Sequence, residues 1–120
     1  MIAQMIKVMK SSDLGDGEMK EEIVNGVKIL IAHAGNKFYA VESRCPHMGG
    51  QLAKGKLEGT IVTCPLHGGK FDLEDGHVVQ WAPRTPRLLS ATKIDKLIGH
   101  NRPLKIYPVK IEGDDIWVEI

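Results

Sequence analysis

Cys45 and His47 are separated by one residue, Cys64 and His67 by two, and 16 residues lie between the pairs in a chain with no other cysteine. Two thiolates and two imidazoles form a ligand set for a [2Fe–2S] cluster. Thiolates suit an iron that stays ferric, while neutral imidazoles leave the second iron less negative and easier to reduce. An added electron therefore localises on the histidine side. Each pair offers one cysteine and one histidine, so neither can hold a cluster alone, and the fold must bring two loops together.

Three other chemistries compete for these residues. Structural zinc pairs usually read C-x2-4-C with H-x3-5-H, each pair of one ligand type, and mixed pairs fit that habit poorly. A catalytic Cys–His dyad needs one residue of each kind and leaves the second pair unexplained. A disulfide between Cys45 and Cys64 leaves both histidines without a role. A zinc-bound structural or interaction module stays open as the third functional reading, marked by colourless protein with zinc and no iron or sulfide.

The segments CPHMGGQL, from Cys45, and CPLHGGKFDLEDG, from Cys64, resemble the Rieske ferredoxin family, whose signature is C-x-H-x(n)-C-x-x-H. The resemblance extends through Phe71-Asp72 to the closing LKIYPVKIEGDDIWVEI. It implies an all-β fold, a Rieske-type antiparallel β-sandwich with a small cluster-binding subdomain at about 43–83. It also implies a Rieske [2Fe–2S] cluster held by Cys45, His47, Cys64 and His67. Respiratory members carry a second cysteine pair bridging the loops, where this chain has Gly50 and Leu66, and a serine and tyrosine donating to the sulfurs, where it has Gly69 and Phe71. Donors to sulfur stabilise the more negative reduced state, so their loss lowers the potential. The expected midpoint is near the low end of the Rieske range, about −150 mV. Trp81-Ala82-Pro83 matches the family's proline-containing third loop over the cluster.

Around the ligands, Pro46 and Pro65 each remove a backbone donor and fix φ where the chain must turn. Gly49, Gly50, Gly68 and Gly69 permit tight turns and close approach of N–H groups to sulfide, two demands met by the same residue. Met48 and Leu66 flank the ligands, as an apolar lid over the site or as ordinary loop packing. His33, His77 and His100 lack cysteine neighbours and read as surface or packing residues.

Strands must deliver these loops. Asn25-Gly26, between β-branched runs, is a hairpin signal, and a second turn follows at Gly35-Asn36. The run from Phe38 to Val41 leads to the first loop and that from Thr60 to Thr63 to the second. Glu74-Asp75-Gly76 reads as a third hairpin turn. Residues 105–111 and 116–120 read as closing strands, with Pro108 implying an edge. Residues 85–99, TPRLLSATKIDKLIG, carry helix start and stop signals, so one short helix is expected in a basic insertion at about 84–103. Residues 84–105 hold six basic side chains against Asp95 alone, a net +5 that leaves −4 on the remainder. Arg84, Arg87, Lys93 and Lys96 are candidates for docking an acidic redox partner, against the plainer reading of a solvated helix face.

A chain of 120 residues fits one domain, 1–120. A net charge of +1 gives no argument for nucleic acid, and no apolar run approaches the ~20 residues of a membrane span. The first ten residues lack signal-peptide order and alternate like a strand. With both cysteines assigned to metal, a cytoplasmic location is expected. There is no second His/carboxylate iron site, so the expectation is not an enzyme but a soluble one-electron carrier. By the resemblance, it takes electrons from a reductase and passes them to a terminal oxygenase or other acceptor. The alternative is a Rieske-like small subunit of a larger reductase, such as nitrite reductase.

Overall fold

The computed structural model describes residues 4–45, 50–65, 68–80 and 103–120. The helix expected at 85–99 lies outside them. Alternation in the first residues gives β1, Met5–Lys10. Two hairpin strands follow, β2 (Met19–Val24) and β3 (Val27–Ala34), joined by Asn25 and Gly26 at φ 51 and 77. That left-handed pair is what a tight turn between right-twisted strands requires. β4 (Lys37–Glu42) follows a turn at Gly35. Four three-residue strands come next: β5 (Lys56–Glu58), β6 (Ile61–Thr63), β7 (Lys70–Asp72) and β8 (Val78–Gln80). The chain closes with β9 (Ile106–Tyr107), β10 (Val109–Glu112) and β11 (Asp115–Glu119).

These strands form three antiparallel sheets, ordered β1-β11-β10, β2-β3-β4-β9 and β5-β6-β7-β8. The expected antiparallel all-β architecture is therefore present. The middle sheet is the wall between two cores. Ile29, Leu30, Ile31 and Ala32 on β3 are all buried, and successive side chains of a strand point to opposite faces. Leu30 and Ala32 join Val41, Leu52, Val62, Phe71 and both cysteines in one core. Ile29 and Ile31 join Met9, Ala40, Ile116 and Val118 in the other. An unbroken apolar run is the signature of a strand covered on both sides.

The strand expected at 105–111 is two strands in two sheets. Pro108 stands between β9, at an edge of the middle sheet, and β10, at an edge of the first. Without an N–H it cannot continue a ladder. Its carbonyl still accepts the Glu119 amide at 2.9 Å, so the chain changes sheet there and remains at an edge, as expected.

Candidate metal centre

Both cysteines stand at the neck of a hairpin. Arg44 bridges Gln51 and Thr63 pairs with Lys70, each antiparallel. One step further, the Cys45 amide donates to the Gly50 carbonyl and the Cys64 amide to the Gly69 carbonyl, both at 2.8 Å. Four residues separate each cysteine from its glycine. The two cysteines thus occupy equivalent places, and the histidine is the second of those four residues in one loop and the third in the other. That offset is the difference between C-x-H and C-x-x-H. His47 and His67 themselves lie outside the described residues, as do Met48, Gly49, Leu66, Trp81, Pro83, Arg84, Arg87, Lys93 and Lys96.

Cys45 and Cys64 are 4% and 2% exposed, share one apolar cluster and are not joined in a disulfide. A thiolate buried in such surroundings is costly unless a metal takes up its charge. Two such sulfurs, each heading a loop that contains a histidine, fit a cluster with two thiolate and two imidazole ligands. In the second loop Gly68 adopts φ +80, a conformation L side chains resist, and its amide donates to the Cys64 carbonyl at 3.1 Å. Gly50 and Gly69 supply the closing carbonyls. Phe71 is fully buried in the cysteine cluster and brings no hydroxyl there.

Two supports were not legible beforehand. Buried Ser43 donates its hydroxyl to the Glu21 carboxylate, and its carbonyl accepts the Leu52 amide at 3.1 Å, tying the first loop to β2. Gly55 passes so close to the second loop that a Cβ there would lie 1.9 Å from the Thr63 carbonyl oxygen and 3.2 Å from Pro65 Cδ. A glycine between two lysines is a signal of close approach only once the neighbouring strand is known.

The other described histidines have structural partners. His33 donates from Nδ1 to the Leu14 carbonyl at 2.9 Å and stacks on Phe38, with ring centroids 4.1 Å apart. His77 meets the Asp75 carboxylate on the surface. That hydrogen bond raises the imidazole pKa above its ordinary value. Asp75 is lowered, first by the hydrogen bond from the His77 amide and then by the imidazole. Among the described residues, no helix is long and apolar enough to cross a membrane.

The chain is similar to the ferredoxin component of biphenyl 2,3-dioxygenase from Rhodococcus jostii RHA1, with 31% identity over 97% of this chain and 92% of that protein. A solved complex of reduced oxygenase and oxidized ferredoxin in carbazole 1,9a-dioxygenase contains a chain that superposes with a TM-score of 0.74 and 26% identity, covering 95% of this chain and 91% of that one. The ferredoxin of carbazole 1,9a-dioxygenase from Nocardioides aromaticivorans IC177 shares the fold, with a TM-score of 0.77 at 23% identity over 96% of each chain. The Rieske [2Fe-2S] domain family matches residues 4–108. With the paired cysteine hairpins and the three antiparallel sheets, that match establishes that this chain belongs to the Rieske [2Fe-2S] domain family.

Proposed function

We propose that Cys45, His47, Cys64 and His67 hold the [2Fe–2S] cluster of this family member, and that the chain is a one-electron carrier between a reductase and a terminal oxygenase. Bound there, the cluster supplies a single reversible electron. The observation that carries the ligand assignment is the equivalence of the two hairpin necks, with Cys45 N–H on Gly50 and Cys64 N–H on Gly69 at the same 2.8 Å.

The chain's own residues set how that electron is held. Cys45 and Cys64 are held by the apolar cluster around them and by their amides' hydrogen bonds to the Gly50 and Gly69 carbonyls. Phe71, buried in the cluster that holds both cysteines, brings no hydroxyl donor there, which favours a low potential. Residues 43–83 act as the cluster-binding unit of a 1–120 domain. Arg84, Arg87, Lys93 and Lys96, in the basic insertion at about 84–103, add positive charge that attracts an acidic partner.

The solved oxygenase–ferredoxin complex supports the oxygenase as acceptor. Its chain and this one match over nearly their whole lengths, which favours an exchanging carrier over a fixed subunit of a larger reductase. A cytoplasmic site of action agrees with a chain whose two cysteines are both assigned to metal. The test is single-turnover mixing. Holoprotein reduced by a flavin-dependent reductase should transfer one electron per chain to an oxidised Rieske oxygenase, and retention of that electron with every oxygenase offered would overturn the assignment.

A further inference from the structure

The third sheet is electrically polarised along its strands. At the cysteine end, register aligns Lys56, Thr63, Lys70 and Gln80 in one row across β5, β6, β7 and β8. Lys54 stands beside this row and, with Lys56, Lys70 and Gln80, lines a cavity of about 440 Å³ that reaches Cys64 and Pro65. No carboxylate is among its described lining residues. Among the described residues, none of these three ammonium groups forms an ion pair. The opposite end of the same sheet carries Glu58, Asp72, Glu74 and Asp75.

Strand direction turns this into a field with a defined axis. β6 runs toward Cys64 and β7 runs away from Gly69, so the positive end is the one that presents the second cysteine loop. Ammonium groups around a concave, partly apolar wall focus potential into the cavity. Such an arrangement raises encounter rates and selects orientation more than it adds affinity.

We infer that the Lys54, Lys56 and Lys70 shelf is the docking surface for an acidic face of a redox partner protein, orienting the molecule with its Cys64 loop toward that partner. The inference rests on the one-electron carrier reading.

Flavodoxin, an acidic one-electron protein, serves as the probe. Fully reduced flavodoxin is mixed with oxidised holoprotein across a salt series, using wild type, K54Q/K56Q/K70Q and E58Q/E74Q. Electron paramagnetic resonance and potentiometry verify that each variant keeps an intact cluster at the same midpoint. The wild-type rate should fall steeply with salt. The triple lysine variant should be at least tenfold slower at low salt and nearly salt-independent, while E58Q/E74Q should stay within about twofold of wild type or run faster. A triple variant with the wild-type rate and salt slope would overturn the docking surface. So would a matching drop in E58Q/E74Q, which would show that the position of the charges is immaterial. If wild type accepts electrons from dithionite but from no protein donor, the carrier reading fails instead.

Discussion

Gly55 lies against the Thr63 carbonyl so closely that a methyl group on its Cα would come within 1.9 Å of that oxygen. Because Thr63 immediately precedes Cys64, the contact sets the height of the second loop. Gly55 has an ordinary φ of −86, so a substitution there is limited by space rather than by backbone strain. Gly55→Ala should cost about 1–3 kcal/mol through forced displacement of the β6 end. Gly17→Ala is the comparator, since φ is +83 there with nothing within 4 Å of the added carbon. It should cost about 1 kcal/mol through φ alone. Thermal unfolding of the two holoproteins checks the ranking, and equal losses would show that the close approach relaxes freely.

Phe71 and Gly69 test the control of potential. Phe71 is fully buried in the cluster that contains both cysteines, and Gly69 closes the second hairpin, so both places adjoin the cysteines where a hydroxyl donor would act. A hydrogen bond to a charged acceptor is worth about 1.5 kcal/mol. For a one-electron couple that corresponds to roughly 60 mV. From a wild-type midpoint of about −150 mV, Phe71→Tyr and Gly69→Ser should each raise the potential by that order. Potentiometric titration decides, and a wild-type midpoint well above 0 mV would contradict the low-potential assignment.

The Asp75–His77 pair gives a pH prediction. His77 has its pKa raised in the folded state, chiefly by the hydrogen bond to Asp75, so its stabilising contribution is present below the unfolded value and is lost as pH rises through the folded one. Asp75 has its pKa lowered, chiefly by the hydrogen bond from the His77 amide, so its contribution is present above the unfolded value and is lost as pH falls through the folded one. The pair therefore supports the turn only in the window between these two titrations. Both groups are on the surface, and global stability should barely register the change. An NMR titration should place the His77 midpoint above that of an ordinary histidine, with Asp75→Asn moving it back down. An unshifted His77 in wild type would show that the contact does not persist in solution.

Much of the architecture could be read from local chemistry. Asn25-Gly26 announced a hairpin because few other pairs accept two positive φ angles, and the glycines after each Cys/His pair announced tight loops. Register could not be read. The row of Lys56, Thr63, Lys70 and Gln80 is invisible in one dimension, since its members come from four short strands. β5 itself, Lys-Leu-Glu, has no β-branched residue to mark it. The two Cys/His pairs and their spacing were legible, but the equivalence of their hairpins depends on Arg44 meeting Gln51, a pairing that no local signal specifies.

The central claim is mixed ligation by two hairpins, and electron paramagnetic resonance of the dithionite-reduced protein tests it most directly, beside iron and sulfide analysis. Wild type should contain two irons and two sulfides per chain, as the family's [2Fe-2S] cluster requires, and give an average g below that of an all-cysteine cluster. His47→Ala and His67→Ala should each abolish the signal, as should Cys45→Ser and Cys64→Ser. Zinc in place of iron, or a signal that survives unchanged in either histidine variant, would contradict the account.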